Sequence, residues 1–151
     1  MHWQNMDDLT QTLETCFTLI QQQRMAGIPI LNPVLRVQAV DFHLYQQTWL
    51  GVLISPWFMN ILFMRDDGLA VGTKIMHTFP AGQFDFTVAH EDALGFYQSC
   101  SLYSPMFDFD QQDTAVQTAQ AALQALLQVP ERPNISRRDL LRGHISKRET
   151  P

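Results

Sequence analysis

The residues able to do chemistry are few and scattered. His43, His77 and His90 fall on three separate predicted elements, and none of them forms an H-x-x-x-H or similar metal spacing. Asp66-Asp67 and Glu91-Asp92 could act as acid–base pairs, but both lie in predicted turns, where acidic side chains serve the backbone. Cys16 and Cys100 are far apart and make no CxxC or zinc-like pattern. Cys16 sits among Leu13, Phe17 and Ile20 on a helical stripe, which predicts a protonated, inert thiol, and both cysteines read as reduced and buried. There is no Gly-rich phosphate loop and no G-x-S-x-G elbow. With no nucleophile, base and oxyanion donor to assemble, binding is the stronger expectation and catalysis the weaker.

Two apolar segments stand out instead. Ile54-Ser55-Pro56-Trp57-Phe58-Met59-Asn60 and Cys100-Ser101-Leu102-Tyr103-Ser104-Pro105-Met106-Phe107 share a Ser-Pro step followed by large apolar residues at a strand end. If both strands end on one edge of the sheet, Trp57, Phe58, Met59, Met106 and Phe107 line a single apolar groove, with Tyr103 and Pro105 beside it. Flexible methionine among aromatic rings suits peptides that vary in sequence. Taken singly, each of these side chains is equally at home in a core. A third segment, Ser136-Arg137-Arg138-Asp139-Leu140-Leu141-Arg142-Gly143, looks like the twin-arginine export motif S-R-R-x-F-L-K. Export signals carry that motif near the N-terminus ahead of an apolar run. At this position it is not expected to export the chain.

The elements that must position these residues follow from periodicity. Leu9, Leu13, Cys16, Phe17 and Ile20 repeat at helical spacing behind Asn5, Asp7 and Asp8, with Gly27 and Pro29 as stop signals. Strands are expected at 35–44, 49–54, 57–64, 74–79, 84–88 and 94–103, separated by turns at 45–48, 66–68 and 80–82. The segment 49–54 is apolar on both faces, as a central strand would be. Pro56 marks a break. A second helix carries Val116, Ala119, Leu123, Leu126 and Leu127, capped by Asp110 with Asp113 three residues on, and Pro130 ends it. The expected fold is α+β: an antiparallel sheet of about five to six strands flanked by an N-terminal and a C-terminal helix, with both helices on one face and a flexible C-terminal tail. Residues 1–130 form one domain and residues 131–151 the basic tail.

Composition sets further bounds. At 151 residues, 46% hydrophobic and 17% charged, the chain can build one well-filled core. The net charge of −5 divides unevenly: Met1 to Val129 carries four basic and twelve acidic residues, Pro130 to Pro151 six basic and three acidic. An acidic body with a short basic tail argues against nucleic acid as partner. The greasiest stretch, Trp49 to Met64, is interrupted by Gly51, Ser55, Pro56 and Asn60 and is shorter than the roughly 20 residues that span a bilayer. With an acidic N-terminus and no signal-peptide pattern, a cytoplasmic location without stable membrane insertion is expected.

The segments Trp49 to Asn60, Phe79-Pro80-Ala81-Gly82-Gln83-Phe84-Asp85-Phe86, Gln98 to Met106 and the twin-arginine-like tail resemble, in this order, the HybE/HupJ family of [NiFe]-hydrogenase assembly chaperones. The resemblance runs from the first helix to Gly143. It implies a maturation chaperone that binds precursors of the hydrogenase small subunit, which carries a twin-arginine signal, and of the large subunit. It implies no catalytic residues and no cofactor. Some members carry a fused rubredoxin domain, whose paired CxxC motifs are missing here, so no iron site carries over. Trp57, Phe58, Met59, Tyr103, Pro105, Met106, Phe107, Arg137 and Arg138 are the expected partner-binding residues. The rival readings are a small-molecule-binding domain or enzyme using the same apolar pocket, and a redox sensor through Cys16 and Cys100.

Overall fold

The structure, a computed structural model, describes Trp3 and residues 5–130. Its first element is helix α1 (Met6–Arg24), opened by the Asn5 side chain, which accepts from the Asp8 amide at 2.8 Å. Six strands follow: β1 (Gln38–Tyr45), β2 (Thr48–Ile54), β3 (Met59–Phe63), β4 (Lys74–Phe79), β5 (Gly82–Glu91) and β6 (Gly95–Tyr103). Helix α2 (Gln112–Leu126) comes last. The strands form one antiparallel sheet in the order β1-β2-β3-β6-β5-β4, so β1 and β4 are its edges.

The expectation that both helices share one face is corrected. Leu50, Val52 and Ile54 of β2 pack with Ala115, Ala119, Ala122, Leu123 and Leu126 of α2. Trp49 and Leu53 pack with Leu9, Leu13, Cys16, Phe17 and Ile20 of α1. Because side chains alternate along a strand, the two helices cover opposite faces. This is why β2 reads apolar throughout: each of its faces has a cover of its own.

The mixed pattern of β1 also has a cause. Val40 pairs with Val52 and His43 with Leu50, so Asp41 and Phe42 together oppose Gly51. This is a β-bulge, with Asp41 at φ 53°. It turns Val40 toward α2 and Phe42 toward α1. The Phe42 ring then lies over Gly51, where a Cβ would stand 2.4 Å from it.

Helix α2 starts one residue later than a cap at Asp110 requires. Gln111 is its N-cap and makes no side-chain cap bond, so the expected capping box is absent. The Gln112 amide is spent instead on the edge of the sheet: it accepts from the Arg36 backbone N–H at 2.9 Å and donates to the Arg36 carbonyl at 3.3 Å. Glu14 accepts from the Ala39 amide at 2.9 Å. Side chains thus occupy ladder positions along the β1 side. On β4, Phe79 pairs with Gly82 across the two-residue Pro80-Ala81 loop. The backbone groups of Phe79, His77 and Ile75 therefore face β5, and those of Thr78, Met76 and Lys74 face outward.

Candidate protein-docking site

The two Ser-Pro segments do meet at one end of the sheet. The β2–β3 connection carries the first, and Met59 at the start of β3 pairs with Tyr103 at the end of β6, which leads into the second. Ser55 shapes the first segment: its buried hydroxyl accepts from the Trp57 and Phe58 amides at 3.2 and 3.0 Å, while its own N–H donates to the Phe58 carbonyl. A cis Ser104–Pro105 bond turns the second.

One residue joins them. Asn32 is 5% exposed, and its side-chain amide donates to the carbonyls of Met106 at 2.9 Å and Phe109 at 2.8 Å. Its backbone N–H donates to the Pro56 carbonyl at 2.8 Å, and its side-chain oxygen accepts from the Val34 amide. All four polar contacts of Asn32 are thus spent on holding the loop after α1 against both segments. Sequence reasoning passed over this residue. The signal was an asparagine inside an otherwise apolar stretch, Ile28 to Leu35, between Pro29 and Pro33.

The anticipated groove divides. Met59 and Met106 are fully buried beneath α2. Trp57 and Phe58 are half-buried on the α1 face, where Phe58 meets the Phe17 ring edge-on at 5.7 Å. The sheet lies between the two pairs, so they line no common surface. Tyr103 is half-buried against Phe109, with ring centroids 4.9 Å apart. Pro105 and Phe107 are exposed, Phe107 to 55%. Arg137 and Arg138 lie outside the described residues.

What faces solvent at this end is a different set. Ile30 and Val34 flank Asn32 and are exposed to 40% and 52%, while Pro105 and Phe107 flank Met106. Asn32 thereby brings two exposed apolar pairs from distant sequence side by side. Exposed apolar residues gathered this way mark interaction surfaces more often than the same residues scattered. Asp108, Asp110 and Asp113 continue from Phe107; all three are exposed and none has an ion-pair partner among the described residues. Arg36 is the cation on this side. The surface is apolar with an acidic border, and it suits a partner that combines apolar and basic side chains.

Elsewhere the structure assembles a polar chain from residues that sequence reading left apart. Arg65 grips Asp67 with two nitrogens, Asp67 accepts from the Gln98 amide at 2.7 Å, and the Gln98 carbonyl oxygen meets the His77 ring. The Arg65 guanidinium, with help from Gln98, holds the Asp67 carboxyl below the usual carboxylate range. The His77 ring packs edge-on to Phe63 and Phe86. No Ser, Thr or Cys side chain bonds to this His77–Gln98–Asp67 chain, so it offers no activated nucleophile. Burial pushes the Cys16 thiol up, with Glu91 adding to the effect, and Cys100 is 1% exposed. A cleft of about 440 Å³ lies at the far end of the sheet, lined by Trp3, Leu44, Gln47, Thr48, Trp49, Met64, Arg65 and Asp66. Its rim includes the tight Gln46-Gln47 turn, where both residues are left-handed at φ 52° and 68°.

Comparison with known proteins addresses the chain as a whole. The model of the family described as "[NiFe]-hydrogenase assembly, chaperone, HybE" matches residues 8–143, a span that takes in Arg137 and Arg138. The chain is 35% identical over 142 residues to the hydrogenase expression/formation protein HupJ of Bradyrhizobium diazoefficiens, covering 85% of this chain and 84% of that one. It is 36% identical over 142 residues to the protein HoxT of Cupriavidus necator, covering 83% and 79%. The solution structure of HybE from Escherichia coli superposes with a TM-score of 0.63 at 27% identity over 85% of each chain. The chain therefore belongs to the HybE family of [NiFe]-hydrogenase assembly chaperones.

Proposed function

We propose that this protein is a non-catalytic chaperone that holds immature [NiFe]-hydrogenase subunits in the cytoplasm. In this reading it engages the small-subunit precursor through its twin-arginine signal, and the large-subunit precursor as well. The observation that carries the reading is the exposed surface of Ile30, Val34, Pro105 and Phe107 beside Asp108, Asp110 and Asp113, in a chain of this family. A twin-arginine signal presents two guanidinium groups ahead of an apolar run, and the surface presents the complementary pair of properties. The apolar part supplies affinity at about 25 cal/mol per Å² buried, less the cost of ordering the peptide. The acidic border raises the association rate and orients the peptide. Trp57 and Phe58 extend the contact around the α1 side. No helix among the described residues is long and apolar enough to cross a membrane.

The test is binding of a small-subunit signal peptide and of its full precursor to the purified chain. Phe107→Glu and Val34→Glu are expected to weaken both at least tenfold, while charge substitutions on the exposed strand β4 leave them unchanged. Equal affinity for all variants would remove the surface from the reading. The cleft beside Trp3 and Trp49 favours a second reading, a small-molecule site. A ligand retained through purification and seen by native mass spectrometry decides for it.

A further inference from the structure

We propose that residues 136–142 of this chain dock in cis on the surface formed by residues 28–34 and 105–113 and occlude it. The proposal rests on the preceding reading of that surface and adds an occupant and a control. The chemistry matches at both ends: Arg137, Arg138 and Arg142 are the basic groups of the segment, and Leu140 and Leu141 are its apolar ones. They face three exposed carboxylates without ion-pair partners, Asp108, Asp110 and Asp113, and the exposed apolar residues Ile30, Val34, Pro105 and Phe107.

Reach and order agree as well. The end of α2 is fixed near the β4–β5 turn, where the Ala81 amide donates to the Leu126 carbonyl at 3.1 Å. The start of α2 is fixed at the acidic surface by the Gln112–Arg36 contacts. Helix α2 has 15 residues and is about 22 Å long at 1.5 Å per residue. From Pro130 to Arg137 the chain spans at most about 25 Å when extended, so Arg137 can reach the start of the helix. A chain running back along α2 meets Asp113, Asp110 and Asp108 before Phe107. It brings its arginines first and its leucines after them. The order of charged and apolar groups is therefore the same on both partners.

A tethered segment acts at an effective concentration of order 1 mM, so a contact with a dissociation constant of about 100 μM would weaken an external peptide about tenfold. An incoming twin-arginine segment must displace the internal one, which sets a threshold against weak basic or apolar peptides.

The experiment uses the full-length chain and its R137E/R138E variant. Backbone amide shifts are recorded at several protein concentrations, and affinity is measured for a synthetic peptide of two arginines followed by an apolar run. Shift changes at Val34, Phe107, Asp110 and Asp113, independent of concentration, with about tenfold tighter peptide binding by the variant, are the expected result. Adding Asp110→Arg and Asp113→Arg to the variant should restore the contact. Unchanged shifts at those positions overturn the proposal, as do shifts that appear only at high concentration and so report a second copy. Local shift changes with unchanged peptide affinity uphold the cis contact and overturn instead the reading of this surface as the partner's site.

Discussion

The side-chain amide of Asn32 donates to the backbone carbonyl of Met106 at 2.9 Å, across 74 residues of sequence. Its second hydrogen goes to Phe109, and the two bonds fix the loop that presents Phe107. Asn32→Ala leaves both carbonyls without this donor in a buried setting and is expected to cost about 2–4 kcal/mol. Asn32→Asp, close in shape but lacking the amide donor, should cost at least as much at neutral pH. Urea denaturation checks both, and partner affinity should fall alongside stability.

Phe107 and Met106 are neighbours with opposite expected behaviour. Met106 is fully buried, so Met106→Ala should destabilise the fold by about 2–5 kcal/mol. Phe107 is 55% exposed, so Phe107→Glu should change stability by less than about 0.5 kcal/mol while abolishing most precursor binding. Thermal melts and a precursor pull-down on the same two proteins separate the roles. A Phe107→Glu protein that still captures precursor would move the docking site elsewhere.

Gly51 is needed for space. A methyl group there would meet three atoms of the Phe42 ring at 2.4–2.7 Å. Gly51→Ala is expected to cost about 1–3 kcal/mol through overpacking. Phe42→Leu in the same chain should recover part of that loss, and a double-mutant cycle reads the coupling.

The Gln46-Gln47 turn holds two non-glycine residues left-handed, a conformation that disfavours a β-carbon by about 1–2 kcal/mol per residue. Gln46→Asn with Gln47→Gly supplies the preferred hairpin pair and should raise the unfolding midpoint. If the cleft beside it binds nothing, precursor binding stays unchanged.

Asp67 sets an acid-side dependence. Its carboxyl titrates below the ordinary value of 3.8 because Arg65 and Gln98 hold the charged form. Its stabilisation is therefore complete above the unfolded-state value and is lost as pH falls through the lower folded one. Asp67→Asn should be less stable than the parent at pH 7, and the difference should shrink below about pH 4. Urea midpoints at pH 7, 4 and 3 measure it. A difference that stays constant across that range would place the contribution in shape and hydrogen bonding rather than charge.

Much of the fold was legible because periodicity survives in the sequence. The α1 stripe from Leu9 to Ile20 and the β4 and β6 spans came through nearly residue for residue. The two-sided apolar pattern of 49–54 already carried the information that both faces are covered. It was read as centrality alone, which left both helices on one side. The β1 pattern misled because a bulge at Asp41 shifts the alternation by one residue, and spacing alone does not reveal that insertion. At the candidate site, the shared Ser-Pro step did place both segments at one end of the sheet. It could not say which side chains face out, because Trp57 to Met59 straddle the change from turn to strand. Met59 and Met106 turned inward, and the exposed apolar residues came in part from a loop whose position depends on a side-chain bond to distant carbonyls.

The two edges of the sheet differ in kind. On the β1 side, Gln112 and Glu14 already occupy ladder positions at Arg36 and Ala39, and Asp41 breaks the line between them. The outward groups of β4 carry no such plug, and Lys74 is the one charged side chain along them. Growth of this sheet is therefore one-sided. A pair of copies meeting through β4 would close on itself with both outer ends stoppered, so strand addition terminates at two and does not propagate into a fibre.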